Sequence, residues 1–182
     1  MTLALAGPGS AQEAEVLVPV DLQVRIFLNA LTFDRNLEER TRGELVFAVL
    51  VQRRFLPSSQ LGDEVLGALR ELPDDVVAGH RLRIEGLELT GSEELRELLE
   101  TLNPTVLYVS PLRALSVDEI AEATRALKIR TVTGVPDYVA RGLSIGLRLR
   151  DDRPEILINR EAAIAEGADL TSQLLKLARV LR

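Results

Sequence analysis

The chain has 182 residues, of which 46% are hydrophobic and 27% are charged, and its formal net charge is -6. This length and hydrophobic content predict one domain with a full-sized core. Lys and Arg are scattered, and aromatic residues make up only 3%, so neither a basic stripe for nucleic acid nor a platform for stacked bases is indicated. Cysteine is absent, which excludes disulfides, thiolate nucleophiles and cysteine-ligated metal sites.

The first residues resemble the end of an export signal. "LALAG" is a short apolar run, and the small residues Gly9 and Ala11 follow at the spacing that suits cleavage before Gln12. No basic region precedes this run, and the run is too short for a complete signal or a membrane span. We predict that residues 1–11 are a truncated signal-peptide remnant and that residues 12–182 form a single α/β domain; the alternative is a plain disordered N-terminus.

The first half of the chain alternates between helical and strand patterns. Asp21 is placed to cap the mostly apolar helix "LQVRIFLNALTF", and the apolar run "ELVFAVLVQ" predicts a central strand covered on both faces. Ser58 or Ser59 then opens a helix that ends at Pro73. The alternating stretch "HRLRIEGLEL" predicts a half-exposed strand.

The alternation continues through the second half. Ser92 is placed to cap the helix "EELRELLETL", and Ser116 with Glu119 forms a capping box that opens "VDEIAEATRAL". The strands "TVLYVS" and "IRTVTGV" follow these two helices, and "SIGLRLR" and "EILINR" predict a hairpin across "DDRP". This order predicts a mostly parallel sheet sandwiched by helices, with a C-terminal antiparallel hairpin.

Two helices are predicted at the carboxyl terminus. Asn159 can cap "REAAIAE" and Gly167 can end it. The last helix is predicted to dock on the sheet through one apolar face, with Lys176 on the solvent side. That face consists of Leu170, Leu174, Leu177, Ala178 and Leu181.

Catalytic and metal-binding patterns are weak. His80 is the only histidine and is interpreted as a surface residue. The acidic pairs at 74–75 and 151–152 are interpreted as solvated turns, and no phosphate-binding loop is present, so we expect no metal and no cofactor. A phosphorylation receiver would need carboxylates at the ends of the central strands, where Gln52 and Ser110 stand instead.

One segment, "GVPDYVARGLSIGLRLRDDRPEILINREAAIAEGADLTSQLLKLARVL", stands out by its glycines. Gly134, Gly142 and Gly146 bracket a turn and interrupt a strand, where a ligand or another backbone can approach closely. The alternative is tight packing of this turn beneath the last helix.

The same segment resembles the carboxyl-terminal half of the YfiR family of exported bacterial proteins. The opening "VPVDLQVRIFLNALTFDRNL" is similar to the first helix of that family. The resemblance spans roughly Val18 to Leu181 and is weak between about 55 and 100. The matching residues are Arg141-Gly142, Ile145-Gly146, the turn "DDRP", Ile158-Asn159, Ala162-Ala163, Gly167, Ser172 and "LLKLARVL".

The resemblance implies a periplasmic α/β domain without known catalysis. The role that gave the family its name is to restrain a membrane-bound diguanylate cyclase by binding its periplasmic part until a cell-envelope signal relieves the restraint. This chain departs from the family in lacking the cysteines that some members pair, and in having "GVPDYVARG" where many members have a different turn.

We therefore expect a non-catalytic, exported regulatory protein that binds the periplasmic part of a membrane-bound signalling protein and does not itself span the membrane. A homodimer is a further expectation. The alternative is a small-molecule-binding module that uses the glycine turn 142–146 and adjacent strand ends; an enzyme ranks third. The candidate binding residues are Arg141, Gly142, Ser144, Gly146, Asn159 and Ser172.

Overall fold

The computed structural model describes residues 18–41, 43–73, 77–113 and 117–181, apart from the side chains of Ser92 and Glu93. The helices are α1 (Val20–Leu31), α2 (Leu37–Thr41), α3 (Leu56–Arg70), α4 (Ser92–Leu102), α5 (Val117–Leu127), α6 (Pro136–Ala140), α7 (Arg160–Ala165) and α8 (Ser172–Leu177). The strands are β1 (Glu44–Val51), β2 (Arg81–Glu88), β3 (Val106–Val109), β4 (Arg130–Thr133), β5 (Ile145–Arg150), β6 (Arg153–Asn159) and β7 (Arg179–Leu181).

These strands form one seven-stranded sheet in the order β2-β1-β3-β4-β5-β6-β7. The first five are parallel, β6 returns antiparallel to β5, and β7 lies parallel to β6. The chain leaves β1 for β2 on one side and then crosses to β3 on the other, so the strand order reverses between β1 and β3. The predicted class, a mostly parallel α/β sheet with a C-terminal hairpin, is confirmed.

The continuous apolar run of β1 is explained by cover on both faces of the sheet. Phe47 and Val49 lie in a core with α1 and α3, whereas Ala48 and Leu50 lie in a second core with α4 and α5. Because successive side chains of a strand point to opposite faces, both sets must be apolar.

The hairpin turn between β5 and β6 follows from two aspartates. Asp151 and Asp152 have φ of 50° and 57°, between the paired residues Arg150 and Arg153. Two positive φ values are the signature of a type I′ turn, which matches the twist of hairpin strands and suits Asp. Both aspartates are exposed, so the interpretation of this acidic pair as a solvated turn is confirmed.

The predicted caps of the first long helices are wrong. The N-cap of α1 is Pro19, and Asp21 lies inside the first turn. Ser58 and Ser59 likewise lie inside the first turn of α3, whose N-cap is Phe55. Ser58 Oγ instead accepts a hydrogen bond from the backbone N–H of Gln52 at 2.9 Å, which ties the start of α3 to the end of β1.

Two further boundaries differ from the sequence pattern. The N-cap of α4 is Gly91, so Ser92 is the first helical residue and not the cap. The short helix α2 was not predicted, because only Leu37 and Thr41 of its five residues are buried and no apolar period marks it. The capping box at Ser116 lies outside the described residues.

The predicted last helix is shorter than expected, and the chain ends in a strand. Ala178 is extended, with φ -102° and ψ 159°, and the following residues pair with β6 as β7. Leu174 is 1% exposed, as expected of a docked face, but Leu177 is 70% exposed. The prediction that Leu177 is buried is wrong, because backbone hydrogen bonds to the free edge of β6 replace the last helical turn.

Candidate functional site

The glycine turn lies at the amino end of the sheet, meaning the side where the parallel strands β1 to β5 begin. Val132 of β4 pairs with Ile145 of β5, so residues 142–144 stand beside the first residues of β4. Parallel α/β sheets usually bind ligands at the carboxyl end, where the strands finish. The glycine turn therefore lies at the opposite end of the parallel strands from the usual ligand-binding end.

Side chains of the protein itself occupy the space beside these glycines. A Cβ atom at Gly134 would meet the side chain of Gln23, and one at Gly146 would meet Val139. Gly142 has φ +113°, and its carbonyl accepts a hydrogen bond from Arg125 Nη2 at 3.0 Å. Only glycine adopts that backbone conformation without strain. The close approaches are thus internal packing contacts.

Ser144 belongs to a buried polar cluster. Glu166 Oε1 accepts a hydrogen bond from Thr131 Oγ1 at 2.7 Å, and Oε2 accepts one from the Thr131 backbone N–H at 2.9 Å. Ser144 Oγ donates to the Thr131 carbonyl at 2.7 Å. Glu166 and Thr131 are 0% exposed and Ser144 is 1% exposed. This cluster joins α7 to β4 and to the start of β5.

Burial changes the acidity of this cluster. Desolvation raises the pKa of Glu166 from 4.5 to about 7, although hydrogen bonds from Ser144 and Thr131 and the charge of Arg125 lower it in part. Burial disfavours the charged form of a carboxyl group because the protein interior solvates charge poorly. Glu166 therefore changes protonation near neutral pH.

A buried ion pair lies beside that cluster at the amino end. Asp34 Oδ2 accepts a hydrogen bond from Arg130 Nε at 2.8 Å and lies 2.8 Å from Arg130 Nη2 in an ion pair, and the two side chains are only 1% and 4% exposed. Asp34 Oδ1 accepts from the backbone N–H groups of Asn36 at 3.0 Å and Asp169 at 2.8 Å. Arg130 Nη2 also donates to the Gly167 carbonyl at 3.0 Å. We call this arrangement the Asp34 clasp, because it holds the segment before α8 against the loop after α1.

The remaining candidate residues have separate surroundings. Asn159 Oδ1 accepts from the first turn of α7 at 3.0 Å, which confirms the predicted cap, and Nδ2 donates to the Val139 carbonyl at 3.0 Å. Arg141 is exposed, with Nη2 3.7 Å from Asp118 Oδ2. Ser172 is exposed at the start of α8. Arg141, Gly142, Ser144 and Gly146 lie in the segment from the end of α6 into β5. Asn159 meets this segment through its hydrogen bonds to the Ser144 and Val139 carbonyls, whereas Ser172 lies on α8.

The interpretation of His80 as a surface residue is wrong. His80 is 5% exposed, and its Nδ1 lies 3.2 Å from Thr41 Oγ1, while its Nε2 lies 3.0 Å from Glu38 Oε2. These contacts hold the His80 ring in place just before β2, so its polar atoms are satisfied within the protein and its role is structural. Within the described ranges, no group of three or more His, Asp or Glu side chains could hold a metal ion.

A cleft of about 420 Å³ lies at the carboxyl end of the sheet. Gln52, directly after β1, and Leu89, directly after β2, line it together with Arg113 from the segment after β3. Arg54 and Phe55, which directly precede α3, also line it. The cleft thus stands at the ends of three neighbouring strands, where the strand order reverses.

Gln52 ties the walls of this cleft together. Its Oε1 accepts a hydrogen bond from the Arg113 backbone N–H at 2.7 Å, and its carbonyl accepts one from the Phe55 N–H at 2.9 Å. The sequence places Gln52 where a phosphorylation receiver would have a carboxylate, but it does not predict the cleft. The available signal was "QRRF", a basic and aromatic run directly after the central strand.

Solved structures with a similar fold are known. The ABC domain in complex with L-Trp from Streptococcus pneumonia has a TM-score of 0.60 and 14% identity, and the match covers 90% of this chain and 60% of that one. CD0873, a substrate binding protein with adhesive properties from Clostridium difficile, has a TM-score of 0.59, 15% identity and coverages of 95% and 65%. A conserved domain protein from Vibrio cholerae has a TM-score of 0.61, 14% identity and coverages of 91% and 61%. The chain therefore spans about 60 to 65% of the length of these proteins, and the likeness shows a shared fold.

Sequence comparison identifies the family. No curated protein matches the chain. In the part of the chain that the structure describes, no helix combines the length and the apolar character needed to cross a membrane. A model of the family DUF4154, described as YfiR/HmsC-like, matches residues 22–179. The chain therefore belongs to the YfiR/HmsC-like family, whose members are periplasmic and have a regulatory rather than an enzymatic role.

Proposed function

We propose that this protein is a non-catalytic periplasmic regulator that binds the periplasmic part of a membrane-bound signalling protein, such as a diguanylate cyclase. The observation that carries the proposal is the family match over residues 22–179. The buried acid–base groups agree with it, because His80 and Glu166 are both held in hydrogen bonds to the protein's own side chains. Neither side chain is placed to meet a substrate.

Three exposed apolar side chains on the carboxyl-terminal elements are candidate contacts for such a partner. Ile164 on α7 is 58% exposed and Leu177 on α8 is 70% exposed, although both are large and apolar. Val180 on β7 is 37% exposed, and β7 is the last strand of the described sheet, so one side of it is unpaired there. Exposed apolar side chains beside a sheet edge are typical of protein contacts. We call Ile164, Leu177 and Val180 the C-terminal surface.

A binding measurement with purified components tests this proposal. The partner is the periplasmic part of a membrane signalling protein encoded beside this chain, and affinity is measured by calorimetry. Leu177→Ser should weaken binding at least tenfold without lowering Tm. The matched control is Leu56→Ser, because Leu56 is 64% exposed but lies on α3. Equal losses in both variants, or no binding by the wild type, would contradict the proposal.

Cyclase output provides the functional reading of the same interaction. Co-expression of the wild-type chain with the full membrane protein should lower the cellular level of cyclic di-GMP, and Leu177→Ser should restore it. Normal repression by Leu177→Ser would remove the C-terminal surface from the proposal. Homodimerisation remains a proposal that light scattering on the purified chain can decide.

A second candidate function is binding of a small molecule. The fold is shared with a protein solved in complex with L-Trp and with a substrate binding protein. A ligand at the predicted turn could reach the exposed Arg141 directly, whereas Gly142, Ser144 and Gly146 are buried, so the turn would have to open. Chemical shift changes at 141–146 on addition of a ligand would support that site.

A further inference from the structure

The cleft at the carboxyl end has the charge of an anion site in a chain that is acidic overall. Three arginines, Arg53, Arg54 and Arg113, line it against one acid, Glu88, while the whole chain carries a formal charge of -6. Arg53 pairs with Asp63 at 2.6 Å on the exposed side of α3. Within the described ranges neither Arg54 nor Arg113 forms an ion pair. Two guanidinium groups are thus available to a ligand.

The second guanidinium is positioned before any ligand arrives. Arg113 Cζ lies 5.9 Å from the centroid of the Phe55 ring, within the range of a cation–π contact. The backbone of Arg113 is fixed by its hydrogen bond to Gln52. Arginine presents a planar fork of donors that fits a carboxylate or phosphate in a bidentate manner, and positioning it in advance lowers the entropy cost of binding.

The position and size of the cleft also fit a small ligand. The strand order reverses between β1 and β3, and α/β sheets bind ligands in the crevice that such a reversal creates beyond the carboxyl ends. The cleft volume of about 420 Å³ lies within the usual range of roughly 300–1,000 Å³ for small-molecule sites. Phe55 and the buried Leu89 add apolar surface beside the charged groups.

We infer that this cleft binds a small organic anion, with its carboxylate or phosphate held by Arg54 and Arg113 and its apolar part against Phe55 and Leu89. This inference rests on the second candidate function, ligand binding, and moves it from the glycine turn to the carboxyl end of the sheet. Glu88 opposes the anion and limits its affinity. The membrane partner proposed above is not needed for it.

The experiment is a titration of the purified chain followed by amide NMR. The probes are benzoate and phenyl phosphate as the two anion chemistries, benzyl alcohol as the neutral analogue and inorganic phosphate as the bare anion. We expect saturable shifts at the amides of residues 52–55 and 113 with benzoate or phenyl phosphate, and much weaker ones with the other two probes. The stronger of the two anions identifies carboxylate or phosphate as the preferred group.

Variants separate an anion site from a merely positive surface. Arg54→Ala and Arg113→Ala should each lower the affinity at least tenfold, whereas Glu88→Gln should raise it several-fold. Arg70→Ala is the control, because Arg70 is exposed on the last turn of the same helix α3. Equal binding of benzyl alcohol, or affinity that does not change in the two arginine variants, would overturn the inference.

The location of the shifts distinguishes the two proposals. Saturable shifts confined to residues 141–146 would overturn the cleft inference and leave ligand binding at the glycine turn standing. Absence of saturable binding by every probe up to about 10 mM, roughly tenfold above an already weak Kd of about 1 mM, would overturn both. The partner-binding measurement with Leu177→Ser is unaffected by either result.

Discussion

The two ends of the parallel sheet use charged residues in opposite ways. At the amino end, the charges of Asp34 and Arg130 are buried and satisfied by each other and by backbone groups. At the carboxyl end, Arg54 and Arg113 are exposed around an open cleft, with no ion pair among the residues that the structure describes. Buried charge with complete partners indicates structure, and exposed charge held in position beside a cleft indicates binding.

The polar residues of the segment that carries the family resemblance have a structural role. Its polar residues Ser144 and Asn159 are hydrogen-bonded to Thr131 and to Val139, so they join the start of β5 to β4 and the end of β6 to α6. The segment therefore explains how the carboxyl terminus is held on the sheet. We therefore expect function at residues that remain exposed outside these internal contacts.

The largest expected effect comes from breaking the Asp34 clasp. Asp34→Ala leaves the buried Arg130 without its carboxylate, and removing one partner of a buried ion pair typically costs about 3–5 kcal/mol. The free energy of unfolding, measured with urea, should fall by that amount. The control is Arg35→Ala, which removes an exposed pair with Asp169 and should cost less than about 1 kcal/mol. A loss for Asp34→Ala as small as that for Arg35→Ala would show that the clasp adds little stability.

Two leucines of α8 sharpen the distinction between buried structure and exposed surface. Leu174 packs with Ala30 and Ile158, so Leu174→Ala should lower the free energy of unfolding by about 2–5 kcal/mol through lost burial and a cavity. Leu177→Ala should change it by less than about 0.5 kcal/mol, because the side chain is 70% exposed. Thermal and urea unfolding measure both values. A large loss at Leu177 would mean that the side chain packs in solution.

Much of the fold could be predicted from the sequence, because its main signals are local. The apolar run of β1, the two-residue turn at 151–152 and the Asn159 cap each follow from the residues that form them. The end of α8 could not be predicted, because Leu177, Ala178 and Leu181 continue the apolar helical pattern, while the backbone of β7 pairs with the edge of β6, 22 residues earlier. The hydrophobic pattern of neighbouring residues contains no information on a pairing strand so far away in the sequence.

The polar sites show the same limit. The burial of His80 depends on Thr41 and Glu38 from α2, a helix that has no sequence pattern of its own. The cleft combines residues 52–55 with Arg113, which are about 60 positions apart and meet because β1 and β3 are neighbours. The sequence shows "QRRF", but it does not show that Arg113 lies beside this run.

The protonation of Glu166 gives the amino end a dependence on pH. Its folded-state pKa of about 7 lies above the unfolded value of 4.5, so the folded protein binds this proton more tightly. The resulting stability is fully present below pH 4.5 and is lost as the pH rises through 7, and the shift corresponds to roughly 3 kcal/mol. Urea unfolding of the wild type across pH 5 to 8.5 should show this loss.

Glu166→Gln isolates the contribution of this one carboxyl group. The variant cannot ionise at this position, so the difference in unfolding free energy between variant and wild type should shift in favour of the variant as the pH rises. Glu161→Gln is the control, because Glu161 is exposed on the same helix α7 and should keep the wild-type profile. Parallel profiles for the wild type and Glu166→Gln would show that Glu166 does not titrate in this range.

The smallest expected changes in the free energy of unfolding are at the carboxyl end of the sheet. They contrast with the large change expected for the buried ion pair at the amino end. Arg54 is exposed and without an ion pair among the described residues, so Arg54→Ala should change the free energy of unfolding by less than about 0.5 kcal/mol. Arg113→Ala also loses the contact with Phe55, which is worth about 0.5–1 kcal/mol at an exposed site. Arg130→Ala, by contrast, should cost about 3–5 kcal/mol, because Asp34 would then be buried unpaired. A stability loss at Arg54 or Arg113 that approached the loss at Arg130 would assign all three arginines to the structure and leave the cleft without groups to spare for a ligand.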